Sequence, residues 1–347
     1  MSLTLYVDFA RWYAHLRSVV AGEPDLVPVA KGNGYGFTVR GLARAAGSIG
    51  VDCVAVGSAD DAAAVLGEFP GEVVVLGCAA DGDPGAAVPR SEQGRVIYTA
   101  ASLEAASQLA DRRLIVDCRS SLLRQGIDES EIGELRHVLG GRRVEGFSLH
   151  LPIDRPAGSD PVGETARWVE RLSEAGFEVP VMYVSHLERA EIEGLGKAFP
   201  GTRFRPRVGT RLWLGDRRAL CAAATVLQSF PIRRGDRIGY RQDRSAHDGW
   251  LVVVSGGTAH GVGLEAPKTL RGLGPRVRAL ARYGLASANR VRSPFSWEGR
   301  KQWFAEPPHM LVSMLLFPRR VEPPWAGAEL MAELRHTATS FDRVVAM

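Results

Sequence analysis

Four basic side chains in this 347-residue chain have the chemistry needed to bind a carbonyl compound and react with it. Lys31 ends the apolar segment LVPVAK, His150 lies in VEGFSLHL, Arg207 lies in RFRPRVG, and Arg124 follows shortly after RLIVDC. A lysine amine attacks a carbonyl when it is held nearby and its pKa is lowered, which burial and neighbouring cations achieve. We therefore expect Lys31 to be the nucleophile of a site that also holds the imidazole and the two guanidinium groups.

A second group of residues has the chemistry of a phosphate site. Gly209 and Thr210 offer backbone N–H groups at a turn, and Ser185 and Tyr35 offer hydroxyl groups. Tyr35 lies in KGNGYG, where the glycines let the chain turn sharply and bring the aromatic ring back over the site. Together with Lys31, these groups favour a phosphorylated carbonyl cofactor.

These residues converge only if the apolar segments are neighbouring strands. Eight segments alternate with helical patterns such as ETARWVERLSEAGF, and near-continuous apolar strands of this kind are typical of a parallel sheet buried on both faces. Eight such units predict an α/β fold, a (β/α)8 TIM barrel, whose active site lies at the carboxyl ends of the strands. No GxGxxG motif follows the first strand, which disfavours the alternative, an open doubly wound sheet. The predicted strands are 26–31, 51–57, 72–78, 94–100, 113–118, 144–151, 179–185 and 203–209.

The pattern changes after Asp216. Strand-like pieces such as GWLVVVSG and HMLVSMLLF follow one another, and helical periodicity nearly disappears, which indicates a mostly antiparallel β domain. We predict a barrel domain over residues 9–217 and a C-terminal β domain over 218–347 that also takes up the N-terminal strand 1–8. Residues 264–308, rich in Arg, Pro and Gly, give no clear prediction.

Composition narrows the class of protein. Hydrophobic residues make up 45% and charged residues 24% of the chain, and the net charge of +4 is spread over short basic pairs. This pattern predicts neither a nucleic-acid nor a membrane partner, and no apolar run approaches the length of about 18 residues that a membrane span needs. The sequence predicts no signal peptide, and it contains no zinc signature, so we expect no metal. The four cysteines are expected to be reduced thiols of a cytoplasmic protein.

Several of these segments together resemble the alanine racemase family. LVPVAKGNGYG is similar to the segment to which that family attaches pyridoxal 5'-phosphate (PLP), and LLRQGID, VEGFSLHL and RPRVGTRLWLG resemble its arginine, histidine and Arg-Pro-Gly-Ile segments. VMYVSHLE resembles the phosphate segment, in which Ser185 is kept and Val184 replaces the usual asparagine. HMLVSM resembles a Met-Asp strand, with Met310 kept and Leu311 in place of aspartate. The resemblance is clearer over residues 1–240 than afterwards.

The resemblance implies a role for each residue. Lys31 carries PLP as a Schiff base and abstracts the α-proton of the external aldimine on one face. Arg207 faces the ring nitrogen of the cofactor and leaves it unprotonated, and His150 supports Arg207. Arg124 binds the phenolic oxygen of the cofactor and the substrate carboxylate, and Met310 lies near the substrate.

Two positions depart from the family pattern. Where many members carry a carbamylated lysine, this chain has Asp117, whose own negative charge is expected to pair with Arg124. Where the family has a tyrosine as the second base, supplied by the partner subunit, this chain has Thr258. A threonine hydroxyl is a poor base, whereas an ordinary histidine pKa lies near about 6.5, so His260 is the expected second base, with Tyr240 and His309 as more distant alternatives.

We therefore expect an isomerase, an amino-acid racemase most like alanine racemase, which interconverts L- and D-amino acids as a homodimer with shared active sites. Loss of the family's tyrosine keeps open a single-base PLP enzyme on the same scaffold, a decarboxylase, aldolase or lyase. A PLP-binding protein without turnover and a phosphate-binding barrel enzyme without PLP are further alternatives. The sequence does not identify the substrate side chain.

Overall fold

The computed structural model describes residues 2–77, 86–109, 111–264 and 291–347. The chain divides into two compact units, one of Tyr13–Gly215 and one of the described residues of Met1–Trp12 and Asp216–Met347. Cys78 and most of the segment without a clear prediction, residues 265–290, lie outside the described residues.

The larger unit contains a closed barrel of eight parallel strands. They are hydrogen-bonded in chain order, β2 also pairs with β9, and the pairing of Val27 with Arg207 joins the ends of the sheet. Every predicted barrel strand is present, so the predicted (β/α)8 fold is confirmed. The strands are β2 (Val27–Ala30), β3 (Cys53–Val56), β4 (Glu72–Val75), β5 (Val96–Ala100), β6 (Leu114–Cys118), β7 (Gly146–Leu149), β8 (Val181–Val184) and β9 (Arg203–Val208).

Helices alternate with these strands and begin at recognisable caps. The side chains of Ser58, Ser102 and Asp160 each accept a hydrogen bond from a backbone N–H of the first helical turn, which satisfies donors that the helix itself leaves free. The helices are α1 (Phe9–Gly22), α2 (Val39–Ser48), α3 (Ala59–Val65), α4 (Leu103–Gln108), α5 (Ile132–Leu139), α6 (Pro161–Glu174), α7 (Arg189–Ala198) and α8 (Thr210–Leu214), with 3-10 turns at Gly34–Gly36, Arg90–Arg95, Glu129–Glu131, Arg217–Ala219 and Thr258–His260.

The barrel is packed from within. Side chains of neighbouring strands form one buried cluster that includes Val29, Ala55, Val74, Ile97 and Ile115. Because these side chains fill the interior, the polar residues that chemistry requires are confined to the ends of the strands. No helix in the described part of the chain combines the length and apolar character needed to cross a membrane.

The second unit is built on an eight-stranded, mostly antiparallel sheet, as predicted. β1 pairs antiparallel with β10 and parallel with β18, and β10 also pairs with β13, so that six strands form a closed ring around an apolar core that includes Val252, Phe295 and Leu315. The strands are β1 (Leu3–Val7), β10 (Leu220–Ile232), β13 (Gly249–Ser255), β14 (Arg292–Trp297), β15 (Arg300–Phe304), β16 (Val312–Pro318), β17 (Glu329–Ala332) and β18 (Arg343–Ala346), and β11 (Arg237–Ile238) pairs separately with β12 (Asp243–Arg244).

Candidate active site

A cavity of about 270 Å³ lies at the carboxyl ends of the barrel strands. Nine of the residues predicted from the sequence line it, and they range from Lys31, after the first barrel strand, to Thr210, after the last. The lining residues are Val29, Lys31, Tyr35, Leu76, Thr99, Asp117, Arg124, Gln125, His150, Ser185, His186, Arg207, Gly209 and Thr210.

Lys31 is the residue directly after strand β2, at the wall of this cavity. The pKa of its amine is lowered, first by partial burial against the surrounding protein and then by the positive charges of Arg124 and Arg207. The side chain remains accessible to solvent, so a ligand can reach it. An accessible amine with a lowered pKa is suited to attack a carbonyl carbon.

Tyr35 is brought into the cavity by an unusual backbone conformation. Its φ of 55° lies in the left-handed region, and its N–H donates to Asn33 Oδ1 at 3.1 Å, which stabilises the turn after Lys31. The buried hydroxyl is hydrogen-bonded to Thr210 and lies so close to Gly209 that a Cβ atom there would overlap it. The glycine is therefore needed for close approach between two chain segments at the predicted phosphate end of the site.

Arg207 carries the clearest unfilled hydrogen-bonding capacity in the cavity. Its Nη2 atom is buried and has no hydrogen-bond partner among the described residues. Burial lowers the pKa of the guanidinium and the charge of Asp117 opposes this change, but an arginine stays protonated in proteins. A buried donor without a partner costs free energy, so an acceptor atom from a ligand would be stabilised here.

Asp117 lies at the end of strand β6 and is buried, but it does not make the predicted pair with Arg124. Its carboxylate instead accepts hydrogen bonds from the Ser148 hydroxyl and from Gln125 Nε2, the second at 3.2 Å. Arg124 is exposed and forms no ion pair among the described residues. The expectation of a direct pair is therefore wrong, because the neighbouring strand and the adjacent Gln125 satisfy the carboxylate first.

His150 is held in its neutral form. Burial, together with the positive charges of Arg207, Arg124 and other neighbours, lowers its pKa to about 3. The Ser185 hydroxyl lies 2.8 Å from His150 Nδ1 and accepts a hydrogen bond from the N–H of Leu151 at 3.0 Å. Ser185 therefore lines the cavity as predicted, yet its hydroxyl also orients the imidazole, a role that the sequence did not indicate.

Five lining residues were not among the predicted site residues, and three of them are polar. Thr99 donates its hydroxyl to the backbone carbonyl of Val75 at 2.6 Å, Gln125 bonds Asp117, and His186 presents an imidazole to the cavity. His186 could have been found from the sequence, because it directly follows the strand that carries Ser185 and strand ends supply the site residues of this fold.

The residues predicted for the opposite face belong to the other compact unit. His260 is buried, its Nδ1 accepts a hydrogen bond from the N–H of Gly257 at 3.2 Å, and its Nε2 lies 3.2 Å from Asp342 Oδ1. Both ring nitrogens are thus engaged within that unit. Met310 is exposed, and the N–H of Thr258 donates to the His309 carbonyl at 2.8 Å.

The charges of the cavity match an anionic ligand. Lys31, Arg124 and Arg207 face it, and Asp117 is the one carboxylate among the lining residues. The described residues contain no group of three or more His, Cys, Asp or Glu side chains placed to hold a metal ion. An aromatic aldehyde that carries a ring nitrogen and a phosphate fits this set, because Lys31 could take the aldehyde, Arg207 would offer a donor to the ring nitrogen, and the end of the cavity lined by Tyr35, Gly209 and Thr210 would hold the phosphate.

Comparisons with solved structures identify the architecture. The chain is 19% identical to alanine racemase from Bacillus anthracis with bound L-Ala-P, with a TM-score of 0.69 over 99% of this chain and 87% of that one. It is 18% identical to alanine racemase from Bartonella henselae with covalently bound pyridoxal phosphate, with a TM-score of 0.69 over 100% of both chains. A histidine racemase from Leuconostoc mesenteroides subsp. sake is 16% identical, with a TM-score of 0.65 over 99% of this chain and 97% of that one.

At these identities the structural likeness shows the fold alone, and a search of curated proteins finds no match. The profile of the family described as "Alanine racemase, N-terminal domain", however, matches residues 8–186, about half of the chain. The resemblance stated from the sequence is thereby confirmed, and the chain belongs to the alanine racemase family.

Proposed function

We propose that this protein is a PLP-dependent amino-acid racemase that acts on a small amino acid. The observation that carries the proposal is the presence, in one cationic cavity, of an accessible lysine of lowered pKa and a buried arginine whose Nη2 has no acceptor among the described residues. PLP, when bound, supplies an electron-withdrawing ring that weakens the α C–H bond of an amino acid attached to it.

Each residue of the barrel then has a defined task. Lys31 would carry the cofactor covalently and would hold or remove the α-proton at Nζ. Arg207 would donate Nη2–H to the ring nitrogen and leave it unprotonated, because the guanidinium does not give up its proton. His150, neutral and oriented by Ser185, contributes no second positive charge beside Arg207.

Substrate binding falls to the exposed cation of the cavity. Arg124 makes no ion pair among the described residues and lies close enough to Lys31 and Arg207 for its charge to lower the pKa of each. A carboxylate is the natural partner of such a guanidinium, since the pair can be bidentate. We assign the substrate carboxylate to Arg124, and we propose a homodimer in which the partner subunit contributes the second face, including Met310 and His260.

A second candidate function is a single-base PLP enzyme, such as a decarboxylase, aldolase or lyase. The specific observation in its favour is that His260 is buried and hydrogen-bonded through both ring nitrogens, while Thr258 stands where the family places a tyrosine. A base must be within hydrogen-bond reach of the proton that it moves. If His260 keeps its present partners, proton transfer is confined to the Lys31 side.

The cofactor is tested first. The purified protein, reconstituted with PLP, should be yellow, and borohydride should bleach the absorbance band and fix the cofactor on Lys31. Peptide mapping checks the position, with Lys197→Ala, on an exposed helix end, as the matched control for Lys31→Ala. An adduct on another lysine, or no PLP retained, would refute the assignment.

The reaction is tested next with single-enantiomer amino acids in deuterated water. A racemase incorporates deuterium at the α-carbon and produces the other enantiomer, with both enantiomers approaching equal amounts. Exchange without inversion, or loss of CO₂ or of a side-chain fragment, supports the single-base enzyme instead. PLP binding without exchange or turnover on any amino acid identifies a binding protein.

A further inference from the structure

His186 is a lining residue to which the proposed function assigns no role. It is the second residue after strand β8, it lines the cavity, and its ring centroid lies 5.6 Å from that of His150. Strand β8 is hydrogen-bonded to β9, with Val184 opposite Pro206. His186 therefore neighbours the chain segment that ends at Gly209 and Thr210, which is the phosphate end of the cavity.

The backbone holds His186 in a conformation that would not persist without support. Its φ is 59°, in the left-handed region that costs free energy for a residue with a Cβ atom. The Arg155 guanidinium donates to the His186 carbonyl at 2.5 Å and pairs with both carboxylate oxygens of Glu191, at 2.6 and 2.9 Å. A strained backbone that an ion pair stabilises at the wall of a cavity indicates that the side chain is held in position for a role in that cavity.

The charges that face His186 are almost all positive. Burial and the charges of Arg207, Arg155 and Lys31 lower its pKa, and the His150 ring lies beside it, tilted by 54°. Glu191, on helix α7, is already paired with Arg155. An anion placed among these groups would offset their repulsion and favour the protonated imidazole, which is a charged hydrogen-bond donor.

We infer that His186 is a ligand of the cofactor's phosphoryl group, which it binds as a hydrogen-bond donor from the end of β8 beside Gly209 and Thr210. The inference rests on the proposed function for the identity of the ligand, but the anion chemistry stands independently of it. Binding of the phosphate then takes up a proton at His186. Affinity for a phosphorylated ligand accordingly falls as pH rises from the pKa of free His186 to that of bound His186.

The test compares His186→Asn and His186→Gly with the wild-type full-length protein. Asparagine tolerates a positive φ and keeps a neutral donor, whereas glycine relieves the strain and removes the donor. His137→Asn, an exposed histidine of helix α5, is the matched control. Dissociation constants are measured for PLP, for pyridoxal, which lacks the phosphate, and for inorganic phosphate, on both sides of neutral pH, with thermal melts to check folding.

We expect PLP and inorganic phosphate to bind His186→Gly about ten- to a hundredfold more weakly at the acidic end, as for loss of a charged hydrogen bond. Titration of the phosphate group itself makes binding pH-dependent in every variant, and His186→Asn should lose most of the pH dependence of PLP and phosphate affinity beyond that. Pyridoxal should bind all variants with the same affinity. Unchanged PLP and phosphate affinity in both variants, or an equal loss for pyridoxal, overturns the inference.

An NMR titration separates this inference from the proposed function. The His186 imidazole resonances, assigned by their absence in His186→Asn, should report a higher pKa when inorganic phosphate is added. If phosphate raises that pKa but PLP does not attach to Lys31, the phosphate site stands and the proposed function fails. If PLP attaches to Lys31 and the imidazole does not respond to phosphate, the function stands and the inference fails.

Discussion

Substitution of Asp117 by asparagine changes the charge of the cavity while keeping its shape. The carboxylate is 4% exposed and accepts hydrogen bonds from Ser148 and Gln125. Both partners can adapt to an amide, because a hydroxyl can reverse its direction and a glutamine can turn its own amide. Asp117→Asn therefore removes the one negative charge among the lining residues with little change in packing.

The size of the effect follows from these contacts. A hydrogen bond to a charged acceptor stabilises by about 1.5–3 kcal/mol and one between neutral groups by about 0.5–1.5 kcal/mol. Two weakened bonds and the lost attraction to Arg207 are partly offset because a neutral amide is cheaper to bury than a carboxylate. We expect the free energy of unfolding to fall by about 2 kcal/mol, which lowers the midpoint temperature by roughly 4–8 °C in a domain of this size.

The same substitution should act in the opposite direction on ligand binding. Without the carboxylate, Lys31, Arg124 and Arg207 face an anion unopposed, so inorganic phosphate should bind more tightly to Asp117→Asn. Amino-acid turnover should fall, because the buried guanidinium of Arg207 loses the attraction of the one carboxylate among the lining residues, and added bicarbonate should not restore it. Thermal melts and phosphate titrations measure the two effects on one protein preparation.

Asp60→Asn is the matched control, since Asp60 is exposed on helix α3 and the change in net charge is the same. We expect it to alter stability by less than about 1 kcal/mol. If Asp117→Asn melts like this control and binds phosphate like the wild type, the carboxylate does not balance the cations of the cavity and the reasoning above fails.

Three further substitutions test separate parts of the site. Gly209→Ala places a Cβ atom against the Tyr35 hydroxyl, so it should lower the free energy of unfolding by about 1–3 kcal/mol and weaken PLP binding. Adding Tyr35→Phe to the same chain should restore part of the stability. Urea unfolding measures both effects, with Gly194→Ala, where a Cβ atom meets open space, as the control. The pKa of His150 is about 3 in the folded protein against 6.5 for an ordinary histidine, so as pH falls through this window the unfolded chain takes up the proton first and stability is lost. His150→Gln should reduce the slope of the free energy of unfolding against pH. Equal slopes in the variant and the wild type would contradict the neutral imidazole. His260→Ala should keep PLP and Lys31-side α-deuteration but lose enantiomer interconversion, and unchanged racemisation eliminates His260 as the second base.

The sequence was sufficient for the barrel because its signals are local. Near-continuous apolar strands, separated by helices with caps such as Ser58 and Asp160, repeat eight times, and each unit is specified by its own residues. The parallel order then brings the carboxyl end of every strand to one side. Lys31, His150 and Arg207 could therefore be assigned to one cavity without any knowledge of their contacts.

Partners of the side chains were not predictable in the same way. Asp117 and Arg124 are seven residues apart and of opposite charge, which made a pair the simplest expectation, yet the carboxylate bonds Ser148 from the next strand. Register between strands decides such contacts, and register depends on packing across the whole barrel. His260 is a similar case, since its bond to Asp342 joins residues 82 positions apart.

The sequence by itself determined which chemical groups this protein has and at which end of the barrel they lie, because strand periodicity and the order of the strands are properties of neighbouring residues. Only the tertiary structure decided which groups are buried, which are paired and which are left with free donors. Arg207 is a strand residue in the sequence, and folding buries its Nη2 where no described residue accepts a hydrogen bond from it. Folding also brings together Arg155 and Glu191, and Arg155 bonds the backbone carbonyl of His186, whose φ is 59°. Burial and long-range contacts set these free energies, and neither is encoded in any single segment.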